Sequence, residues 1–96
     1  MDAKLLVHEK VILDTHSLIE IRVWHVPNPV PPSRHNLKYS MVYIVNNRRV
    51  IGYDNERGKG DHRHYEDEET SYHFESIEKL LAHFKADVEA IRGEKI

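Results

Sequence analysis

Ninety-six residues, 40% hydrophobic and 31% charged, are enough for one buried core and too few for two. The absence of cysteine excludes a disulfide framework, a thiolate metal site and a cysteine nucleophile, and fits a reducing, cytoplasmic compartment. The longest apolar run, Met41 to Val45, falls far short of the ~20 residues needed to cross a bilayer, and no basic-then-apolar leader opens the sequence, so no membrane association is expected. The net charge of −2 hides an asymmetry. Residues 1–64 hold 10 Lys and Arg against 7 Asp and Glu, whereas residues 65–96 hold 4 against 9. Such a body suits phosphate, and such a tail suits a basic partner, for which Glu66-Asp67-Glu68-Glu69 is a candidate contact.

In chain order, Leu5, Val7, Val11 and Leu13 alternate with His8 and Lys10, which predicts a half-buried strand. Asp14 to Ser17 reads as a turn into a second strand, where Ile19, Ile21 and Val23 alternate with Glu20, Arg22 and Trp24. All four prolines lie between Pro27 and Pro32; missing N–H donors and a fixed φ demand an extended surface loop. Strands over 38–45 and 48–54 are joined by Asn46-Asn47, residues that tolerate the positive φ of a type I′ hairpin. The polar stretch from Asp54 to Thr70 has no apolar period and is expected to be mostly loop, with a short fifth strand near Thr70 to Phe74. From Ile77 the spacing of Leu80, Leu81, Phe84, Val88 and Ile91 predicts a helix, capped by Ser76 and stopped by Gly93. The expected fold is one α+β domain over 1–96. It has two layers: an antiparallel sheet of about four to five strands with the C-terminal helix packed on one face. So small a core, with one sheet face free, also suits a homodimer.

The run Tyr53-Asp54-Asn55-Glu56-Arg57-Gly58-Lys59-Gly60-Asp61-His62-Arg63-His64-Tyr65 concentrates carboxylates, bases and imidazoles with no structural duty of its own in view. Gly58 and Gly60 permit close backbone approach to an anion beside Lys59, but the phosphate-loop ending of Gly-Lys-Ser/Thr is absent. His62 and His64, two apart, share one side of any extended segment. One reading makes them a general base and acid, since histidine with a pKa near ~6.5 offers both forms at neutral pH. Another makes them ligands of a divalent metal with Asp61 or Asp54, and the plainest leaves a solvated polar loop. Arg34-His35 and Lys38-Tyr39 form a second cluster at the end of the proline loop. Arginine forks onto phosphate and lysine supplies a point charge for its transition state; the alternative is ordinary surface polarity. Trp24 and Tyr43 could stack bases or simply pack the sheet, and His8, His16, His25, His73 and His83 are read as structural.

Ser33-Arg34-His35-x-x-Lys38-Tyr39 followed by Val50-Ile51-Gly52-Tyr53 and the run to His64 closely resembles the TumE family, and the likeness extends to Trp24, the proline segment and the helix ending at Gly93. The resemblance implies the toxin half of a toxin–antitoxin pair, encoded beside a helix-turn-helix antitoxin. The expected chemistry is RNA cleavage without a cofactor or metal. His62 or His64 would deprotonate a ribose 2′-hydroxyl and His35 would protonate the leaving 5′-oxygen. Arg34 and Lys38 would stabilise the transition state, Asp54 and Asp61 would orient the histidines, and Tyr39, Arg57 and Lys59 would contact RNA. Two rivals stand beside it: a non-enzymatic module whose polar loop docks an antitoxin or nucleic acid, and a metal nuclease built on Asp61, His62 and His64.

Overall fold

A computed structural model describes residues 3–96. Period-two alternation in the first half of the chain becomes strands β1 (Lys4–Ile12), β2 (Ser17–His25), β3 (Leu37–Val45) and β4 (Arg48–Glu56). Strands β5 (Gly60–Tyr65) and β6 (Glu68–Ser71) and helix α1 (Ile77–Arg92) follow. The six strands form one open antiparallel sheet in the order β1-β2-β3-β4-β5-β6, so each pairs only with its neighbours in sequence. The α+β class and the C-terminal helix are as expected, but the sheet has six strands rather than four to five.

The difference lies in residues 54–70. Instead of a loop, this segment contains the end of β4, a three-residue turn, β5 and most of β6. β5 lacks an apolar period because its helix-side positions are Asp61 and Arg63, whose polar groups are satisfied by partners remote in sequence, and Tyr65, whose ring lies 4.8 Å from the Arg63 guanidinium. Arg63 forks onto Asp87 of α1 through Nε and Nη2 at 2.8 and 2.9 Å, and the Tyr53 hydroxyl donates to the same carboxylate at 2.6 Å. That bidentate pair ties the helix to the sheet. The last strand starts at Glu68, ahead of the expected Thr70, and ends at Ser71; Tyr72 and Phe74 then pack against the core.

The Asn46-Asn47 hairpin forms as predicted, with φ of 51° and 64°. Ser76 accepts from the Lys79 N–H at 3.1 Å to start α1, and Gly93, at φ 74°, ends it. Ile19 and Val23 of β2, Tyr39, Met41 and Tyr43 of β3, and Ile51 and Tyr53 of β4 meet Leu80, Phe84 and Val88 of α1 in the core. Each of the larger aliphatic or phenylalanine side chains contributes roughly 1.5–3 kcal/mol by burial. The residues between them in sequence, Glu20, Arg22 and Trp24 of β2, Lys38 and Ser40 of β3, and Gly52 and Asp54 of β4, occupy the other face, which no helix covers. The two edges differ. β1 is exposed along all nine residues, including Leu5, Leu6 and Ile12, while β6 is four residues long and begins with two glutamates. No helix among the described residues is long and apolar enough to cross a membrane.

Candidate functional site

Strand alternation turns His62 and His64 onto the open face, their Cα atoms ~7 Å apart. His62 stands opposite Asp54 and His64 opposite Gly52. Glycine at 52 has a steric cause: a Cβ there would lie 2.9 Å from Arg49 Cδ and 3.5 Å from His64 Cδ2. The bare backbone lets Arg49 reach over β4, where its Nη2 donates to His64 Nδ1 at 3.1 Å. A guanidinium has only donors, so this contact leaves the His64 proton on Nε2, 3.7 Å from Asp54 Oδ2. His62 is held the other way. Its Nδ1 donates to the Gly60 carbonyl at 2.9 Å, leaving Nε2 with a lone pair. Glu69 of β6 spans both rings, with Oε1 3.7 Å from His62 Nε2 and Oε2 4.0 Å from His64 Nδ1. Both imidazoles keep 14% of their side-chain surface exposed, and a cleft of about 400 Å³ opens beside His64, walled by Arg49 and residues 66–69.

A second polar cluster lies on the helix side of the same strand. Asp61 accepts from the Ser33 hydroxyl, from the Tyr39 hydroxyl at 2.7 Å and from His35 Nε2 at 2.8 Å. His35 Nδ1 accepts from the Leu37 N–H at 3.3 Å, and the ring stacks on Phe74 with centroids 3.9 Å apart, so both ring nitrogens are used internally. Fully buried Asn55 accepts from the Tyr39 N–H at 2.9 Å and donates to the Leu37 carbonyl at 2.7 Å. These bonds fasten the proline segment to β3, β4 and β5. Burial alone would raise the Asp61 carboxyl; hydrogen bonds from Ser33, His35 and Tyr39 outweigh it and hold the group below its ordinary range. Burial, then the Asp61 carboxylate, pushes the Tyr39 phenol upward.

The predicted residues therefore fall into two groups on opposite faces. His62, His64 and Asp54 meet on the open face, and Lys38 lies on that face with its ammonium donating to the Asn55 carbonyl. His35, Tyr39 and Asp61 meet on the helix side, so the Asp61 carboxylate orients His35 and not His62 or His64. Arg34 borders a cavity of about 210 Å³ near His35, His73 and Phe74, away from the histidine pair. Arg57 is exposed in the β4–β5 turn, and Lys59 lies 3.8 Å from Glu56 and 3.9 Å from Glu69. Asp61, His62 and His64, weighed as a metal set, are split between the faces. Among the described residues no group of three or more His, Cys, Asp or Glu is placed to hold a metal ion. Trp24 is on the open face, whereas Tyr43 is in the core and accepts from Arg92 at 3.3 Å. Arg49, Gly52 and Glu69 carry no role at the histidine pair in the sequence reading, which places Gly52 only in the family motif and Glu69 in the acidic run for a basic partner; only strand register brings them to His64, and the register His64↔Glu69 is hidden with the β5–β6 hairpin.

Comparison with curated proteins and with solved structures returns no match. The family model described as Toxin TumE matches residues 2–92, a span that takes in the proline segment, all six strands and the helix. The chain belongs to the TumE toxin family.

Proposed function

We propose that this toxin cleaves RNA on the open face of its sheet by metal-independent acid/base catalysis, and that an antitoxin encoded beside it restrains that activity. The observation that carries the reading is the opposite proton arrangement of two neighbouring imidazoles. His62 Nε2 takes the proton of a ribose 2′-hydroxyl, whose oxygen attacks the adjacent phosphorus. As the new O2′–P bond forms the P–O5′ bond breaks, and the 5′-oxygen takes a proton from His64. The products are a 2′,3′-cyclic phosphate and a 5′-hydroxyl. To donate, His64 takes a second proton at Nδ1, which displaces the Arg49 contact of the resting ring; in that imidazolium Asp54 at Nε2 and Glu69 at Nδ1 provide a carboxylate at each end. Lys38, on β3 two strands from the histidines with its ammonium at the Asn55 carbonyl of β4, supplies positive charge for the transition state. His35 has no part in this step because both its nitrogens are bonded within the helix-side cluster.

The experiment is cleavage of end-labelled RNA by the purified protein in EDTA, beside the His62→Ala and His64→Ala variants. Wild-type cleavage that leaves cyclic-phosphate ends, with both variants inactive and folded, is the expected result. Cleavage that needs added divalent metal, or that survives in either variant, overturns the mechanism. No cleavage with tight RNA binding turns the reading toward a binding module.

A further inference from the structure

Trp24 is the single tryptophan of the chain, and it lies on the uncovered face of the sheet. Its ring takes part in none of the aromatic stacks among the described residues. In register it stands between Leu5 of β1 and Lys38 of β3. From Trp24 to His62 the face crosses three inter-strand spacings and one two-residue step, a path of ~16 Å. The floor of that path is low where Ser40 pairs with Asp54. Glu20, the acid on the Trp24 side, is paired with Arg22 at 2.9 Å, and Lys38, the register partner of Trp24, is the next cation toward the histidines.

We infer that Trp24 is a base-stacking subsite and that the substrate is single-stranded RNA laid across the strands, one base on the indole and the scissile phosphate at His62 and His64. This rests on the ribonuclease reading of the histidine pair and adds the substrate's form and direction. The span corresponds to roughly two to three nucleotides of extended strand. A duplex keeps its bases stacked on each other and offers none to the indole, whereas a single strand can splay a base onto an aromatic carried by a sheet. Lys38, the register partner of Trp24, turns its ammonium toward the Asn55 carbonyl of β4, where a phosphate between the stacked base and the histidines would pass.

The lone tryptophan reports on its own site. Full-length His62→Ala protein, which binds without cutting, is titrated with an eight-nucleotide oligouridylate and with the same strand annealed to its complement, and indole fluorescence is followed. The expected result is saturable quenching by the single strand only, weakened by salt. A fluorescently labelled oligouridylate then measures affinity for Trp24→Ala and Trp24→Phe made on the same protein. Alanine is expected to bind at least about 10-fold more weakly and phenylalanine within about 3-fold of the parent, as a stacking contact requires. Binding that leaves the indole unquenched, equal quenching by the duplex, or an alanine variant with parental affinity overturns the inference. The two ideas fail separately. Quenching by a wild-type protein that cuts nothing removes the ribonuclease reading and leaves the subsite; cleavage indifferent to Trp24 removes the subsite and leaves the chemistry. Should the alanine variant not fold, the quenching experiment and the phenylalanine variant still decide.

Discussion

The two faces of β5 carry similar residues to opposite ends. On the helix side, Asp61 and Arg63 are locked by direct bonds, the longest of which to a carboxylate is 2.9 Å. On the open side, His62 and His64 face carboxylates only at 3.7 to 4.0 Å, distances that leave room for a ligand. Polar groups bonded at close range stabilise the fold but are not free for chemistry, while those held loosely on a rigid strand keep a proton or lone pair available. The same imidazole chemistry thus serves architecture at His35 and is available for reaction at His62.

Substitutions can break this contrast from either side. The largest effect is expected from His62→Ala: cleavage falls by ~10²–10⁴-fold while stability drops by only about 1 kcal/mol, read by single-turnover rates and urea unfolding. Asp61→Asn should do the reverse, costing about 2–3 kcal/mol of stability with the proposed RNA cleavage by the folded protein preserved. Because the Asp61 carboxyl is lowered in the folded protein, its stabilisation is fully present at neutral pH. It is lost as pH falls through the ~3.9 of the unfolded chain toward the lower folded value. Acid unfolding curves of the Asn variant should lack this component. Gly52→Ala forces Arg49 away from His64 Nδ1 and frees that nitrogen for the proton the acid needs, so a roughly 10-fold faster cleavage with near-normal melting is the expected outcome. Glu69→Gln, touching the pair at the longest range, should cost no more than about fivefold in the same assay.

What could be read from the sequence followed the apolar pattern. The Asn46-Asn47 hairpin and the helix from Ser76 to Gly93 were legible because their turn residues, caps and apolar spacing are all local. β5 was illegible for a physical reason: Arg63 is satisfied by Asp87, and Asp61 by Ser33, His35 and Tyr39, all at least 22 residues away. The sharing of one side by His62 and His64 followed from alternation alone. The same alternation sends Asp61 to the other side, which is why grouping it with them could not survive once the segment proved to be a strand. Arg49, Gly52 and Glu69 needed the register itself, because nothing in their own neighbourhood ties them to His64.

The neighbour-only order of the strands also bears on how the chain assembles. Most connections in the sheet span two to four residues, but β2 and β3 are separated by residues 26–36. Closing an eleven-residue loop instead of a three-residue one costs about 1 kcal/mol more in chain entropy. That step joins the half of the sheet bearing Trp24 to the half bearing the histidines. The open face is therefore united at the slowest-closing seam of an otherwise local, rapidly zipping meander, and the bonds from Ser33, His35 and Asn55 that fasten the proline segment act at that seam.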